Sequence, residues 1–260
     1  MFFNLKMKSI KKFYNKDGWK ESAGSSKDAE LFEDLRNCAK KYVSNCRLRI
    51  LKYIPKKGGA NILDFASGSI QYNEYFKFSK NFKKRHCVDF SKIAIDKAKK
   101  KLGSKGKYYC NDFFKIKFKK NYFDCILSLH TIYHIHKSKQ ATAIKKLIHI
   151  TKKNSPIIIV YSNPKTFINL IKKLFFIKKK NKKQKLYFFC HENIWWKQFS
   201  ELAEIKLYPW RSFSAQHQKI FFPDNKAGQL MFKLLFFFEK HFPSFFVKFF
   251  QYSIVVLKKK

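Results

Sequence analysis

Asn61-Ile62-Leu63-Asp64-Phe65-Ala66-Ser67-Gly68-Ser69-Ile70 decides the fold together with a second stretch, His86-Cys87-Val88-Asp89-Phe90-Ser91. Each stretch reads as a short apolar strand that ends in a carboxylate, Asp64 in the first and Asp89 in the second. A carboxylate at the tip of the second strand of a βαβ unit can accept hydrogen bonds from ribose hydroxyls. The small-residue turn at 66–68 lets backbone amides approach a nucleotide-like ligand. The two stretches therefore predict a nucleoside-containing cofactor that lies across two neighbouring strands.

The turn that follows Asp64 contains a single glycine, Gly68. Ala66 and Ile70 stand where a dinucleotide-binding fingerprint would have two more glycines, so the turn is less suited to holding a pyrophosphate. A tight strand-to-helix turn that binds no ligand is the alternative interpretation. The other predicted strands favour the functional one.

Short apolar segments alternate with amphipathic helices through the first two thirds of the chain. This alternation is typical of a parallel sheet that is covered on both faces, with the carboxyl ends of its strands at one ligand-binding edge. Asp112 and His130 join Asp64 and Asp89 at that edge. The predicted strands are 61–65, 86–90, 108–110, 124–129 and 157–161, with further strands at 205–213 and 252–257. The predicted helices are 27–51, 71–78, 91–102, 139–152 and a Phe-rich region at 227–250 that is broken at Pro243.

The sequence thus predicts an α/β fold, a Rossmann-like, doubly wound, mostly parallel seven-stranded sheet with an N-terminal helical cap. We expect the cap at 1–57 and the cofactor-binding core at 58–164. Residues 165–260 are expected to add lid helices and C-terminal strands to the same domain. The length of 260 residues and the hydrophobic content of 45% suit one sizeable core.

The formal net charge of +40 would ordinarily indicate a polyanionic partner. However, nearly all of the basic residues are lysine and they are spread along the chain, which is also what the composition of an AT-rich genome produces. The six cysteines form no C-x-x-C pair, which favours a reducing cytoplasmic setting and argues against a zinc site. No uncharged apolar run approaches the length that would span a membrane.

The motifs resemble those of class I S-adenosylmethionine-dependent methyltransferases of the small-molecule type, over roughly residues 58–164. Nothing after 124–129 matches the Asn-Pro-Pro-Tyr signature of amino-group DNA methylases. Four signatures occur in the family's order, at 62–68, 88–91, 110–113 and 121–130.

The resemblance implies S-adenosyl-L-methionine as the methyl donor and no metal. It implies that Ala66, Ser67 and Gly68 face the methionine part of the donor, and that Asp64 orients this turn. Asp89 would bind both ribose hydroxyls, and Phe90 would lie against the adenine.

At the two strand ends that follow, the same resemblance assigns Asp112 to the adenine amino group, with Phe113 beside it. Leu129 and His130 would lie near the sulfonium. His130 and Tyr133 are the candidate catalytic residues, because an imidazole with a pKa near neutrality can take a proton from an acceptor hydroxyl. The alternative is that the histidines after 124–129, which include His134 and His136, cap the next helix or satisfy buried backbone.

Residues outside the four signatures leave several interpretations open. Tyr14 and Trp19 could close over the cofactor or simply pack, and His191-Glu-Asn-Ile-Trp-Trp196 could form a lid, an acceptor wall or a packed helix. The basic stretches 165–189 and 227–250 could lie on an anionic membrane surface, or be ordinary core-facing helices.

We expect methyl transfer to an oxygen or nitrogen of a small-molecule or lipid- or saccharide-linked acceptor. The alternatives are a nucleic-acid (RNA) methylase or basic RNA-binding module, an NAD-dependent oxidoreductase, and a cofactor-binding fold that has lost catalysis.

Overall fold

The computed structural model describes residues 13–22, 25–174 and 186–260, and within them one large sheet organises the molecule. Its strands are β3 (Gly59–Phe65), β4 (Phe82–Asp89), β5 (Gly106–Cys110), β6 (Cys125–Leu129), β7 (Pro156–Ser162), β8 (Ala203–Arg211) and β9 (Tyr252–Lys259). The strand order is β5-β4-β3-β6-β7-β9-β8, and β9 runs antiparallel to the other six strands. The predicted seven-stranded, mostly parallel sheet is confirmed.

The helices of the described residues surround this sheet, and a small hairpin precedes them. The hairpin pairs β1 (Glu21–Ser22) with β2 (Ser25–Ser26). The helices are α1 (Lys27–Phe32), α2 (Lys40–Leu48), α3 (Asn73–Lys77), α4 (Lys92–Leu102), α5 (Lys137–Ile150), α6 (Phe167–Leu174), α7 (Ala215–Phe221), α8 (Lys226–His241) and α9 (Pro243–Phe249).

Both faces of the sheet are buried, because successive side chains along each strand point to opposite sides. In β7, Ile157 and Ile159 pack on the face that α5 covers, whereas Ile158 and Val160 pack on the face that α2 and α8 cover. The continuous apolar sequence of β7 is therefore the sequence of a strand that is buried on both sides.

The predicted helix 27–51 is two helices, α1 and α2, with an irregular segment between them. At the break, Glu33 turns inward to accept a hydrogen bond from Arg211 at 2.6 Å, and Asp34 binds the Arg36 guanidinium at 2.8 Å and 2.9 Å. These ionic contacts replace the backbone hydrogen bonds that a continuous helix would make. The apolar spacing of the segment continues through the break, which is why the sequence pattern alone predicts one helix.

Several boundaries agree with their sequence signals. The Ser91 hydroxyl accepts the Ala94 N–H at 3.3 Å and so caps α4, which ends at Gly103 with a φ of 52°. Pro243 opens α9 directly after α8 ends, as its missing N–H allows. Of the basic stretch 165–189, residues 167–174 form α6, and the part at 175–185 lies outside the described residues.

Candidate functional site

The turn between β3 and α3 has an unusual backbone, with three residues in the left-handed region. The φ angles are 57° at Ala66, 57° at Gly68 and 49° at Ile70. Two of these residues carry side chains, although such angles are disfavoured for anything but glycine and most of all for a β-branched residue. Ala66 and Ile70 therefore adopt the conformation that glycines would adopt at the same positions.

Asp89 lies at the end of β4 and ties this turn to the neighbouring strand. One carboxylate oxygen accepts the Gly68 N–H at 3.0 Å, and the other accepts the Ser91 N–H at 2.8 Å. Burial raises the pKa of Asp89 to about 6, although both N–H groups favour its charged form. Each oxygen retains a further lone pair, so the carboxylate can accept two more hydrogen bonds from a vicinal diol.

Asp64 occupies a different environment one strand away. Its carboxylate is buried and bound by the guanidinium of Arg85 from β4, through both Nε and Nη2. This ion pair fixes the carboxyl end of β3 beneath the turn. The structure shows that Arg85 is the partner of Asp64, which the sequence did not indicate, and the orienting role of Asp64 toward a bound donor stays a prediction.

An N-terminal segment lies over the turn. A Cβ placed on Gly68 would come within 2.6 Å of the Trp19 indole, so glycine is required for this contact. The Tyr14 ring lies 5.3 Å from that of Trp19 and 6.3 Å from that of Phe90. Trp19 therefore covers Gly68, and Tyr14 lies between Trp19 and Phe90. Closure of the two rings over a ligand stays a prediction.

Hydrogen bonds from α4 hold this covering segment in place. The Lys97 ammonium donates to the Trp19 carbonyl at 2.6 Å, and the Ser91 hydroxyl donates to the Tyr14 carbonyl at 3.2 Å. The Tyr14 hydroxyl in turn donates to Asp28 of α1 at 3.1 Å, and burial raises the pKa of Asp28 to about 7. The covering segment is therefore held by hydrogen bonds to both α4 and α1.

The third acidic strand end differs from the first two. Asp112 is exposed, and one of its oxygens accepts the Phe114 N–H at 2.9 Å. Phe113 is buried, and its ring stacks on that of Phe65 at 4.1 Å. Phe113 thus supports the floor of the site from within the core, whereas half-buried Phe90 lies at its rim.

His130 follows β6 and also has a left-handed backbone, with a φ of 60°. Its Nδ1 lies 2.7 Å from the Tyr133 hydroxyl oxygen. Burial, reinforced by the positive charge of Arg211, holds the pKa of His130 well below its usual range. The expectation of a pKa near neutrality is therefore wrong, and the imidazole is neutral at physiological pH. The two candidate catalytic residues are therefore in direct contact, and Leu129 lies immediately before them.

The wall beyond His130 consists of residues that the sequence analysis did not single out. The Trp210 and Tyr252 rings lie 4.3 Å and 5.4 Å from the imidazole. Arg211 pairs with Glu33, whose carboxylate is also 3.6 Å from Arg47. The wall joins β8, β9 and the N-terminal cap through charged contacts that no local sequence pattern reveals.

The neighbouring histidines and the aromatic pair at 195–196 take packing roles. His134 bonds the Tyr187 carbonyl at 2.7 Å through Nδ1, and the His136 ring caps α5. Trp196 is buried in the core, while Trp195 stacks on His191 at 4.4 Å. His134 and His136 therefore bond backbone or cap a helix, and Trp196 packs in the core, as the alternative interpretation in the sequence analysis expects.

Neither a metal centre nor a membrane span is present in the described part of the chain. Within 13–22, 25–174 and 186–260, no three or more His, Cys, Asp or Glu side chains are grouped so that they could hold a metal ion. In the same residues no helix has the length and apolar character needed to cross a bilayer.

The fold is that of S-adenosylmethionine-dependent methyltransferases. One similar structure is a methyltransferase of this kind from Archaeoglobus fulgidus, with 16% identity, a TM-score of 0.55, and coverage of 85% of this chain and 94% of that one. The N-methyltransferase NodS from Bradyrhizobium japonicum WM9 has 10% identity and a TM-score of 0.53, over 84% and 97%. Phosphoethanolamine N-methyltransferase 2 of Haemonchus contortus, in complex with phosphomonomethylethanolamine and S-adenosylhomocysteine, has 15% identity and a TM-score of 0.54, over 83% and 52%.

A family match comes from the sequence of the core. Residues 63–159, from the middle of β3 to β7, match the family model described as a methyltransferase domain. No curated protein matches the chain significantly. The core of the chain is thus similar in sequence to a methyltransferase domain, and its fold is shared with S-adenosylmethionine-dependent methyltransferases.

The residues at the site fit this methyl donor. Asp89 presents two oxygens with spare lone pairs to a diol, and Gly68 has no side chain of its own, although the Trp19 indole covers it. Asp89 would hold the ribose, Phe90 would lie against the adenine, and residues 66–68 would face the methionine portion.

Proposed function

We propose that this protein transfers a methyl group to an oxygen or nitrogen of a small-molecule acceptor, or of one linked to a lipid or saccharide. The contact between His130 and Tyr133 at the carboxyl end of β6 carries this proposal. A neutral imidazole follows β6 at the same carboxyl edge of the sheet at which Gly68 and Asp89 follow β3 and end β4. Structural similarity to a phosphoethanolamine N-methyltransferase and to the N-methyltransferase NodS supports a nitrogen or small-molecule acceptor.

When bound, S-adenosylmethionine supplies an activated methyl group on a sulfonium. The protein's own contribution begins with position, since holding acceptor and donor in line accounts for much of the acceleration in reactions of this kind. Tyr14 and Trp19 would exclude water from the groove. With His130 Nδ1–H donating to the Tyr133 oxygen, Nε2 would be free to accept the acceptor's proton.

The free thiols support a reducing, cytoplasmic setting as part of the same proposal. Cys46 and Cys125 are buried and form no disulfide, and burial raises the pKa of the Cys46 thiol to about 12. Such thiols are inert packing groups.

Calorimetric titration with S-adenosylhomocysteine and, separately, with NAD tests the donor. We expect binding of the first ligand and no binding of the second. Binding of NAD instead would support an oxidoreductase.

Labelled S-adenosylmethionine added to a cell extract separated into lipid, RNA and small-metabolite fractions tests the acceptor. We expect label in the small-metabolite or lipid fraction. Label in RNA would support the nucleic-acid methylase instead.

Once an acceptor is known, His130→Asn tests the proposed base. Asparagine tolerates a left-handed backbone, so the variant removes the imidazole without new strain. We expect kcat to fall about 10²- to 10⁴-fold with unchanged S-adenosylhomocysteine binding. An unchanged kcat would mean that positioning alone drives the reaction.

A further inference from the structure

The outer surface of α8 is apolar although it faces solvent. Its exposed apolar side chains are each at least 40% exposed and are Leu230, Met231, Leu234, Phe237 and Phe238. At 100° per residue these positions span about 120° of the helix circumference. The opposite side of α8 is the buried one, where Phe232 and Glu239 contact the body of the protein. Helix α8 therefore has apolar side chains on two opposite sides, of which one is buried and the other is exposed to solvent.

The exposed surface continues past the end of α8. Phe242 and Phe245 are both more than half exposed, at 55% and 53%. We call the exposed apolar side chains of 230–245 the Phe-rich face. Monomeric proteins rarely expose a contiguous apolar area of this kind unless it contacts a partner or a membrane.

An apolar groove adjoins the Phe-rich face. It has a volume of about 390 Å³ and lies between α6 and the ends of α7 and α9, with Phe167, Ile171, Phe221 and Phe249 among its lining residues. This volume is within the range of ligand pockets, about 300–1,000 Å³.

Aromatic contacts connect the groove to the Phe-rich face. Phe213, in the groove, lies 5.3 Å from Phe250, which in turn lies 5.9 Å from Phe245. The groove and the face therefore form one continuous apolar surface. Ser212, which lines the groove, follows Trp210 by two residues in sequence, and the Trp210 indole contacts His130.

The charges beside this surface are positive. Lys226, Lys233 and Lys240 fall on one border of the exposed stripe of α8, and Lys248 follows in α9. The acidic residue of 226–250, Glu239, is buried against Arg49 at 2.7 Å and does not offset them. A second copy of this chain is disfavoured as the occupant, because both copies would carry a formal charge of +40.

We propose that the Phe-rich face and its groove dock on an anionic lipid bilayer. The phenyl and leucyl side chains would enter the boundary between head groups and acyl chains, and the bordering lysines would meet the lipid phosphates. The groove would accept an acyl chain from the same leaflet. Docking of this kind does not depend on the proposed methyl transfer.

Vesicle co-sedimentation of the full chain tests the proposal, with phosphatidylcholine vesicles compared with vesicles that also contain phosphatidylglycerol. We expect binding to the mixed vesicles and little binding to the neutral ones. Because +40 alone attracts any anionic surface, the decisive comparison is made at about 0.5 M salt, where surface charges are largely screened. There the Leu234→Ser/Phe237→Ser variant should partition about tenfold or more weaker than the parent.

Leu202→Ser is the matched control. Leu202 is also exposed, but it lies just before the first residue of β8, at the other end of that strand from Arg211 and the groove. The Leu202→Ser variant should bind vesicles as the parent does, and Lys233→Gln/Lys240→Gln should bind the mixed vesicles about tenfold or more weaker than the parent at low salt. Equal partitioning of parent and Leu234→Ser/Phe237→Ser would overturn the proposal. So would sedimentation velocity that shows a dimer of the parent and a monomer of this variant, because the face would then be a contact between copies.

Discussion

Two regions of the molecule differ in which groups they bury. They are the edge of the sheet around Gly68 and Asp89 and the helices of residues 212–250. At the sheet edge, polar atoms are buried and bound to neighbouring backbone, as Asp89 is to the N–H groups of Gly68 and Ser91. In the helical region, large apolar side chains such as Leu234 and Phe237 face water. A buried polar atom with a spare lone pair serves a specific ligand, whereas an exposed apolar face serves a broad surface. Substitutions should therefore affect ligand affinity in the first region, and stability or surface contact in the second.

Glu239→Gln should have the largest effect and should act on stability alone. The Glu239 carboxylate accepts from the Tyr42 hydroxyl at 2.7 Å and the Ser212 N–H at 3.0 Å and pairs with Arg49, so it attaches α8 to the body. Removing its charge leaves the buried Arg49 uncompensated, at a cost of about 3–5 kcal/mol. Urea unfolding measures this change in the free energy of unfolding.

Glu204→Gln is the control for that substitution, since Glu204 is exposed and pairs with Lys206 on β8. It should leave the urea midpoint unchanged. Equal midpoints for Glu239→Gln and the parent would show that α8 is held by its apolar contacts alone.

Asp89→Ala should act mainly on binding. Loss of the carboxylate removes two hydrogen bonds to the ribose and should raise the Kd for S-adenosylhomocysteine about a hundredfold or more. Isothermal titration measures it, with Asp96→Ala on the solvent side of α4 as control. Retained affinity in Asp89→Ala would place the nucleoside elsewhere.

The raised pKa of Asp89 predicts a pH dependence of the same binding. Burial brings this pKa to about 6, and the ionised carboxylate is the better acceptor for ribose hydroxyls. Binding therefore expels the proton when the pH is below 6. The Kd should be constant above about pH 7 and weaken about tenfold per unit below pH 6. Asp89→Asn should show a weaker affinity without this slope.

A pair of glycines separates backbone strain from contact with the covering segment. Gly68 and Gly103 have φ angles of 57° and 52°, but a Cβ meets the Trp19 indole at 2.6 Å from Gly68 and nothing within 4 Å from Gly103. Alanine costs about 1–3 kcal/mol of backbone strain at either position, and the ψ of −132° at Gly103 lies outside the αL region. Only Gly68→Ala should also weaken S-adenosylhomocysteine binding, and Trp19→Ala should relieve the clash. Equal S-adenosylhomocysteine affinities for Gly68→Ala and Gly103→Ala would show that the contact between Gly68 and Trp19 does not affect ligand binding.

The smallest expected effect is at Ala66. Its φ of 57° is a glycine conformation, so Ala66→Gly should raise the free energy of unfolding by up to about 1 kcal/mol. Ala94→Gly in α4 makes the same chemical change at an ordinary helical residue and should lower it by about 1 kcal/mol. Thermal unfolding compares the two, and a destabilised Ala66→Gly would show that the turn does not store strain there.

The sheet could be predicted because each strand is marked by the residues of its own short segment. An apolar run such as Ile157–Tyr161 needs no partner to be recognised as a strand buried on both faces, and Ser91 and Gly103 mark the ends of α4. The hairpin β1–β2 has only polar residues and two-residue strands, so no pattern indicates it. The break at Glu33 depends on Arg211, which is 178 residues away in sequence.

The candidate site divides in the same way. Asp89 could be predicted because it ends a strand at a fixed distance from a small-residue turn. Arg85, Trp210 and Tyr252 could not, because each reaches the site through strand pairing that only the folded chain defines. The left-handed backbone of His130 has no sequence signal at all, since histidine commonly adopts other conformations.

The position of β9 has a consequence for how the chain is made. Residues 252–259 leave the ribosome after those of β7 and β8, yet they pair with both of those strands and lie between them. Until they emerge, the nascent protein presents two open sheet edges that other chains could join. Biosynthesis therefore keeps this protein vulnerable to aggregation until the codons of residues 252–259 have been translated.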